Sequence, residues 1–232
     1  MKKIFTTLIL ASLLLCGIFA EKYNWDGAIG ISFGASVCKT NFTLSGADKN
    51  YESELKGVSF DFANLDMRYV NKSNNIALLV GFGSGLFFSP SIAVGDNNIT
   101  DLLDGAIGNY TSFFAGLGYN FKLSNRFSIT PSFVVGFEYV SIDERRKDDR
   151  TRGVEAKFME EQVGADIHAD FRINDKWSVF LAAAGKFKFM GTYRYSDYTE
   201  KSYDFESTYQ KDDTKIGFAI SPRIGISYHN GH

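Results

Sequence analysis

The chain has 232 residues, of which 16 % are aromatic, 22 are glycine and only 3 are proline, and its formal charge is −2 at pH 7. This mixture is typical of a β-rich protein at a membrane rather than of a helical soluble protein. The small net charge and the lack of a basic face exclude a nucleic-acid partner. After the first twenty residues, no segment holds the 18 uninterrupted apolar residues of a transmembrane helix.

The N-terminal residues 1–20 have the pattern of a Sec signal peptide. Lys2 and Lys3 form a short basic start, residues 4–15 are almost wholly apolar, and Ala20 is a small residue at which cleavage can occur. Removing 20 of the 232 residues leaves 212, which is enough for one domain. We therefore predict a single exported domain over residues 21–232, with a formal charge of −4 because two lysines are lost.

The two cysteines allow an alternative export signal and limit the cross-links of the mature chain. Cys16 follows a run of leucines, so a lipoprotein signal with a lipidated Cys16 is the alternative, although Leu15 is large for the position before such a cysteine. After removal of residues 1–20 only Cys38 remains. An intramolecular disulfide and a thiolate metal cluster are therefore excluded.

Eight segments alternate apolar and small or polar residues, which is the pattern of β-strands with two different faces. The second segment changes phase between Phe62 and Leu65, which predicts a bulge near Ala63 and Asn64. In chain order, we predict strands at 28–37, 58–69, 76–86, 112–121, 127–139, 163–171, 177–189 and 216–228.

The connections between these strands alternate strictly between short and long. Three are short and rich in Asn, Asp and Ser, at 71–74, 122–126 and 172–176. Four are long, at 39–57, 88–110, 144–155 and 196–213. Short periplasmic turns and long outer loops are typical of an antiparallel barrel in a bacterial outer membrane.

The volumes of the side chains predict which face of each strand is inside. The lumen of an eight-stranded barrel is just wide enough to be filled by side chains, and the face built of Gly, Ala, Ser and a few charges fits it. The opposite face, rich in Phe, Ile, Leu, Val and Tyr, then faces lipid, because water does not tolerate so large an apolar surface. The fold class is thus all-β, an eight-stranded antiparallel transmembrane β-barrel.

This pattern resembles the small bacterial outer-membrane β-barrels of the OmpX, OmpA transmembrane-domain and OmpW type. The resemblance covers the whole mature chain and is one of pattern rather than of a sharp motif. The closing strand, with alternating Ile220, Pro222, Ile224, Ile226 and Tyr228, also resembles the C-terminal signal read by the barrel-assembly machinery. The resemblance implies an outer-membrane location, outer-membrane lipids as neighbours and that machinery as a partner during insertion.

Aromatic side chains on the outward face are expected to mark the two membrane interfaces. Those beside the short turns or the chain end are Tyr69, Tyr119, Phe121, Phe127, Phe171, Trp177 and Tyr228; those toward the long loops include Phe87, Tyr139 and Phe189.

Charged residues on the inward face are expected to pair, because unpaired charges in a narrow lumen are unfavourable. Pairing Phe171 with Trp177 would set Gln162 beside Lys186 and Glu160 beside Lys188. The layer nearer the short turns comprises Asp66, Arg68, Asp166, His168, Asp170 and Arg223, and the layer nearer the long loops comprises Glu138, Glu160, Lys186, Lys188 and Arg194.

An alternative to this paired plug is a polar path or pocket beside small residues of the first, third and fourth strands. The glycines that could leave such room are Gly30, Gly34, Gly81, Gly83, Gly116 and Gly118. Close approach of neighbouring strands explains the same glycines at least as well.

No catalytic, metal or cofactor site is expected. His229 and His232 lie in the C-terminal tail, so His168, between Asp166 and Asp170 on its face, is the only catalytic candidate, and it lies far from the outer leaflet. The sequence also lacks metal-ligand spacing and a phosphate-binding glycine loop.

Two functions follow from the resemblance and from the loops. The first is a barrel with a plugged lumen that acts through its outer loops on a surface ligand or a host molecule, with the charged loop 143–150 and the tyrosine-rich loop 195–213 as contact surfaces. The second is an OmpW-like channel for small hydrophobic compounds, which the apolar loop 90–109 favours.

Overall fold

The computed structural model describes residues 24–45, 50–94, 97–98, 107–145, 153–197, 203–208 and 217–230. The predicted signal peptide, including Cys16, lies outside them. The eight long strands are β1 (Trp25–Ser45), β2 (Asn50–Asn71), β3 (Ile76–Val94), β4 (Ile107–Tyr119), β5 (Phe127–Arg145), β6 (Gly153–Arg172), β7 (Trp177–Asp197) and β8 (Gly217–His229).

The eight long strands form one closed antiparallel ring. Each pairs with the next along the chain, and β1 pairs with β8, so no strand of this ring has a free edge. Three short segments, Asn97–Asn98, Phe121–Lys122 and Tyr203–Thr208, extend the ladders of β3, β5 and β7 respectively. The predicted fold is confirmed. A helix of sufficient length and apolarity to cross a membrane does not occur among the described residues.

The three short turns lie where the sequence predicts them, at the end of the barrel that also holds Trp25 and His229. Side chains close each turn as expected for Asn and Ser. Asn71 Oδ1 accepts the amide of Ser73 at 2.9 Å, and Asn174 Oδ1 accepts the amides of Lys176 and Trp177, each at 2.9 Å; in the middle turn, Ser124 Oγ accepts the amide of Phe127 at 3.0 Å. We call this the turn end and the opposite end the loop end.

The predicted long connections extend too far into the strands. The pairing of β1 with β2 continues to Ser45 and Asn50, although the sequence analysis assigns residues 39–57 to a loop. The connections predicted at 88–110 and 144–155 are likewise shorter, since β3 ends at Val94 and β4 begins at Ile107, and β5 ends at Arg145 and β6 begins at Gly153. Outward apolar residues mark only the part of a strand that lies within the apolar band. Above that band a strand needs only a hydrogen-bonded neighbour, so its sequence shows no such pattern.

The predicted bulge in β2 is confirmed. Asp61 pairs with Gly85 of β3, whereas Ala63 pairs with Ser84, so Phe62 is the extra residue. Gly85 passes so close to the neighbouring backbone of β2 that a Cβ there would overlap the Phe60 carbonyl.

The predicted register of the β6–β7 hairpin is wrong by two residues. Phe171 pairs with Val179 rather than with Trp177, because the amides of Ile173 and Asn174 both donate to the Trp177 carbonyl and the turn is longer than assumed. The same shift sets Gln162, not Glu160, opposite Lys188. A further irregularity between Glu161 and Gln162 adds one residue to β7, so Glu160 lies opposite Gly191.

The outer and inner faces are assigned as predicted. Phe133, Leu181 and Ile224 are 60 %, 61 % and 59 % exposed on the outer face, while their chain neighbours Val134 and Ala182 are buried in the lumen. Branched and aromatic side chains thus cover the outside of the cylinder, and the core lies along its axis.

Candidate functional site: the barrel lumen

The predicted lumenal charges lie inside the barrel wherever their side chains are described. None of them is more than 7 % exposed. Arg194 lies in β7 opposite Lys157, and its side chain is outside the described residues. The ten buried side chains are Asp66, Arg68, Glu138, Glu160, Asp166, His168, Asp170, Lys186, Lys188 and Arg223.

Arg68 and Asp170 form an ion pair across the turn-side part of the lumen. Arg68 Nη1 donates to Asp170 Oδ2, and the two residues lie on β2 and β6, which are four strands apart in a ring of eight. The pair therefore joins opposite walls of the barrel at this height.

Arg223 of β8 forms the next ion pairs toward the loop end. Its Nη2 donates to Asp166 Oδ2 of β6 at 2.5 Å and lies 3.8 Å from Asp66 Oδ1 of β2. Ser32 Oγ donates to the second oxygen of Asp66 at 2.5 Å. The guanidinium also lies 5.0 Å from the ring centroid of Phe114, which is on the opposite wall.

The loop-side charge group consists of Glu138, Glu160, Gln162 and Lys188. Lys188 Nζ donates to Glu138 Oε1 at 3.1 Å and to Glu160 Oε2, and Gln162 Nε2 donates to Glu138 Oε2 at 2.6 Å. Glu160 and Lys188 thus meet although they are not opposite each other in the register. One ammonium holds two carboxylates that are almost fully buried.

Lys186 differs from Lys188, two residues later on the same face. Its Nζ lies 5.1 Å from the centroid of the Phe114 ring, and it forms no ion pair with any described residue. The Phe114 ring thus lies close to two cations in the lumen, Lys186 and Arg223.

Large apolar side chains fill the loop-side part of the lumen, and the sequence analysis missed them. Phe42 of β1 and Phe158 of β6 meet edge to face across the lumen with ring centroids 5.9 Å apart. Phe87 is fully buried beside them, so its predicted place at the outer interface is wrong. Strict alternation along β3, in which odd-numbered residues face inward, would have assigned it correctly. We call the fully buried apolar side chains in this part of the lumen the apolar plug: Phe42, Leu55, Phe87, Ile142 and Phe158.

The glycines considered as room for a pocket instead hold space for these rings and charges. A Cβ on Gly81 would overlap the Phe114 ring, and one on Gly30 would lie 2.8 Å from the Phe180 ring. A Cβ on Gly34 would lie 2.9 Å from Arg223 Cγ. The volume that these three glycines leave is therefore occupied by neighbouring side chains.

His168 packs in the turn-side part of the lumen. Its ring stacks on Phe180 with centroids 4.3 Å apart, and its Nε2 lies 3.5 Å from Asp170 Oδ2. This carboxylate is already paired with Arg68. The surroundings of the imidazole are those of a packing residue rather than of a general base beside a nucleophile.

His229 belongs to the lumen, which corrects its assignment to the tail. β8 continues to His229, and the residue keeps the inward phase of Arg223 and Ser227. Its Nδ1 lies 3.2 Å from Arg172 Nη2, and its Nε2 lies 2.9 Å from Ser178 Oγ. The inward phase of β8 was the signal that could have found it.

A cavity of about 530 Å³ lies at the turn end, enclosed by the strand ends and the middle turn. Arg172 in its wall forms an ion pair with Asp26 of β1. The buried pair of Arg68 and Asp170 lies where the cavity meets the rest of the lumen. We call this space the turn-end cavity.

Apart from Phe87, the predicted interface aromatics lie on the outer face, and most are exposed. Tyr69 is an exception at 9 % exposure, because Trp25, Ile29 and other outward side chains pack around it. Phe127 is half-buried beside the turn-end cavity. The exposed members are Tyr119, Phe121, Tyr139, Phe171, Trp177, Phe189 and Tyr228.

Metal ligands and reactive thiols do not form a site in the described part of the chain. Cys38 is a free, buried cysteine in β1. No group of three or more His, Cys, Asp or Glu residues among the described residues is arranged to hold a metal ion.

Comparisons with known proteins find similarity in structure only. No protein-family profile matches the sequence, and the comparison with curated proteins found no match. The barrel is similar to a major outer membrane protein of Thermus thermophilus, with a TM-score of 0.57 and 12 % identity over 88 % of this chain and 98 % of that chain. It is also similar to the outer membrane protein OprG of Pseudomonas aeruginosa, with a TM-score of 0.55 and 10 % identity over 89 % of this chain and 96 % of that chain. The chain has the fold of small outer-membrane β-barrels.

Proposed function

We propose that this protein is an integral barrel of a bacterial outer membrane whose lumen is closed, and that it acts through its loop end as a structural or surface-interaction protein. The observation that carries the proposal is contact between side chains from opposite or nearly opposite walls at three heights: Arg68 with Asp170, Arg223 with Phe114, and Phe42 with Phe158. Contacts that span the lumen at three heights favour a closed state over an open pore.

The outer surface supports the membrane location. Exposed Phe, Ile, Leu and Val side chains surround the cylinder, among them Phe33, Phe133 and Phe187, each at least 59 % exposed. A soluble monomer rarely exposes an apolar patch of more than a few hundred Å². Similarity to barrels of bacterial outer membranes supports the same location.

The energetics of the lumen support a closed state. Buried charges are stable only when they are paired and hydrogen-bonded, and Lys188 with its two carboxylates meets this condition. Moving Lys188 aside to admit solutes would take from Glu138 and Glu160 the ammonium that both contact. Opening a gate at the height of Lys188 would therefore require a large free energy.

The loop end supports a surface role. β1 and β2 continue as a paired ribbon above the apolar band, to Ser45 and Asn50. On this ribbon, Glu54 accepts hydrogen bonds from Lys39, at 2.6 Å, and from Lys56, which adds polar links above the band. Strands of this length hold the connecting loops away from the membrane, where a surface ligand or a host molecule can reach them. Insertion by the barrel-assembly machinery, read from the end of β8, remains a prediction.

Single-channel recording in planar bilayers tests the closed lumen. The purified protein is expected to give no stable unitary currents. A variant that lacks the cross-lumen groups at every height, Arg68→Ala, Phe114→Ala, Glu138→Ala, Phe158→Ala, Glu160→Ala, Asp170→Ala, Lys188→Ala and Arg223→Ala together, is the positive control for insertion and is expected to conduct.

Stable unitary currents from the unmodified protein would overturn the proposal and favour the OmpW-like channel. That alternative further requires uptake of a small hydrophobic compound that is lost when residues 90–109 are deleted. Surface labelling of single cysteines at the loop end of intact cells tests the orientation separately.

A further inference from the structure

The turn-end cavity has the size of a ligand site. Its volume of about 530 Å³ lies within the roughly 300–1,000 Å³ of small-molecule pockets. Residues from β1, β2, β5, β6 and β8 and from the β4–β5 turn contribute to its lining, so it occupies the mouth of the barrel rather than a groove on the outside. It ends blind at the pair of Arg68 and Asp170, so it does not depend on an open lumen.

The lining of the cavity has an excess of positive charge. Five cationic side chains contribute to it, against two carboxylates, Asp26 and Asp170. Each carboxylate already contacts an arginine of the same cavity, Arg172 and Arg68 respectively. Of the other cations, Lys122 and Arg126 are exposed at the rim.

The positions of these cations favour a multiply charged anion. Arg172 lies at the end of β6, whereas Lys122 and Arg126 flank the β4–β5 turn, so cations approach the cavity from more than one part of the ring. Ser124 and Asn125 of that turn add hydrogen-bond donors to the lining. A concave site with charge of one sign concentrates counter-ions of the other sign.

We propose that the turn-end cavity binds a small soluble polyanion, a molecule with two or more phosphate or carboxylate groups. The rim cations Lys122 and Arg126 contact the anion, and Arg172 lies deeper in the wall, held by Asp26 and His229. Lipid headgroups are disfavoured because the cavity lies within the strand ring, whereas lipids contact its outside. The inference does not rest on the proposed function at the loop end.

Isothermal titration calorimetry with inorganic pyrophosphate tests this site. The full-length barrel is placed in nanodiscs of zwitterionic phosphatidylcholine at low ionic strength. The unmodified protein is expected to show saturable binding of one pyrophosphate per chain. The double variant Lys122→Ala, Arg126→Ala is expected to bind at least about tenfold more weakly, because it loses two charge-assisted contacts.

The matched control removes two lysines from the opposite end of the barrel. Lys39→Ala, Lys56→Ala changes the net charge by the same amount and is expected to leave the pyrophosphate affinity within about twofold of the unmodified protein. Circular dichroism and the thermal transition of each variant show that the barrel is intact. Absence of saturable binding, or an equal loss of affinity in both double variants, would overturn the proposal.

A second set of titrations, in a different lipid, distinguishes a soluble anion from a lipid headgroup as the ligand. The titrations are repeated in nanodiscs of phosphatidylglycerol, whose headgroup carries a phosphate. If a soluble anion is the ligand, the difference between the unmodified protein and Lys122→Ala, Arg126→Ala persists. If that difference disappears, the headgroup occupies the cavity and the assignment to a soluble anion is wrong.

Discussion

The two ends of the lumen are built from the same eight strands but from different side chains. At the loop end, Phe42, Phe87 and Phe158 close the interior above the buried group of Lys188. At the turn end, Asp26 and Arg172 line a cavity that is open to solvent. The charges of the Lys188 group are buried, whereas Asp26 and Arg172 at the turn end are partly exposed.

This difference shows how much the worth of an ion pair depends on its surroundings. Lys188 and Glu160 have side chains that are only 1 % exposed, whereas those of Arg172 and Asp26 are 36 % and 23 % exposed. Coulombic attraction and the desolvation of the ions are both large in a dry interior and both small beside water. Removing one member of the charge group around Lys188 should therefore strongly destabilise the fold. The pair of Arg172 and Asp26 should contribute little to the stability of the fold.

The largest expected effect comes from removing Lys188. Lys188→Ala leaves two buried carboxylates without their cation and should lower the free energy of unfolding by about 5 kcal/mol. Arg172→Ala, at the hydrated end, should lower it by at most about 1 kcal/mol. Urea unfolding in lipid vesicles measures both.

A compensated variant sharpens this result. Glu138→Gln, Glu160→Gln, Lys188→Met replaces the ions by neutral groups and should recover most of the loss. Equal losses for Lys188→Ala and Arg172→Ala would contradict the contrast between the two ends.

The second expected effect concerns the apolar plug. Phe158→Ala removes a ring from a fully buried position and should cost about 3–4 kcal/mol of unfolding free energy. Phe187→Ala, on the lipid-facing side of the adjacent strand and 59 % exposed, should cost about 1 kcal/mol or less, since lipid tails fill the space it leaves. The same vesicle assay applies, and an equal cost for the two would show that Phe158 is not packed in the lumen.

A smaller effect is expected from adding one methyl group inside the barrel. Gly57→Ala places a Cβ in the Phe87 ring, so the plug must shift, at a cost of about 1–3 kcal/mol. Gly185→Ala is the control, because a Cβ there meets nothing within 4 Å on the outer face; its change should stay within about 0.5 kcal/mol. Comparison of the urea midpoints at constant slope tests the pair, and a neutral Gly57→Ala would refute the tight fit of Phe87.

The smallest effect belongs to a turn. Asn174→Ala removes the acceptor for the amides of Lys176 and Trp177 and should cost about 1 kcal/mol. Asp175→Ala, at an exposed position of the same turn, is the control and should be nearly neutral. If both substitutions behave alike in thermal unfolding, the side chain of Asn174 does not stabilise the hairpin.

Alternation was enough to predict the wall of the barrel. Along β5, Phe133 and Val135 are exposed while Val134 is buried, as the period of two requires. The change of phase in β2 likewise predicted its bulge. These features are local, so neighbouring residues carry the information.

The contacts between side chains in the lumen could not be predicted in the same way, because they join residues distant in sequence. Phe87 is accommodated by Gly57 of the preceding strand, and Phe42 meets Phe158 more than a hundred residues later. The register of β6 and β7 depended on the turn geometry at Asn174 and on the irregularity beside Gln162, which no pattern of hydrophobicity reveals. The turn-end cavity depended on His229 and Arg172, which the sequence analysis had assigned to a tail and a turn.

The most direct test of the account uses two adjacent residues on opposite faces of β4. Phe113 contacts Phe82 and Phe137 on the outer face, whereas Phe114 is 5 % exposed in the lumen. The substitutions Phe113→Trp and Phe114→Trp are made separately, after the two native tryptophans are replaced by phenylalanine, and fluorescence is recorded in vesicles of brominated lipid. The account predicts strong quenching at position 113 and little at position 114; equal or reversed quenching would contradict it.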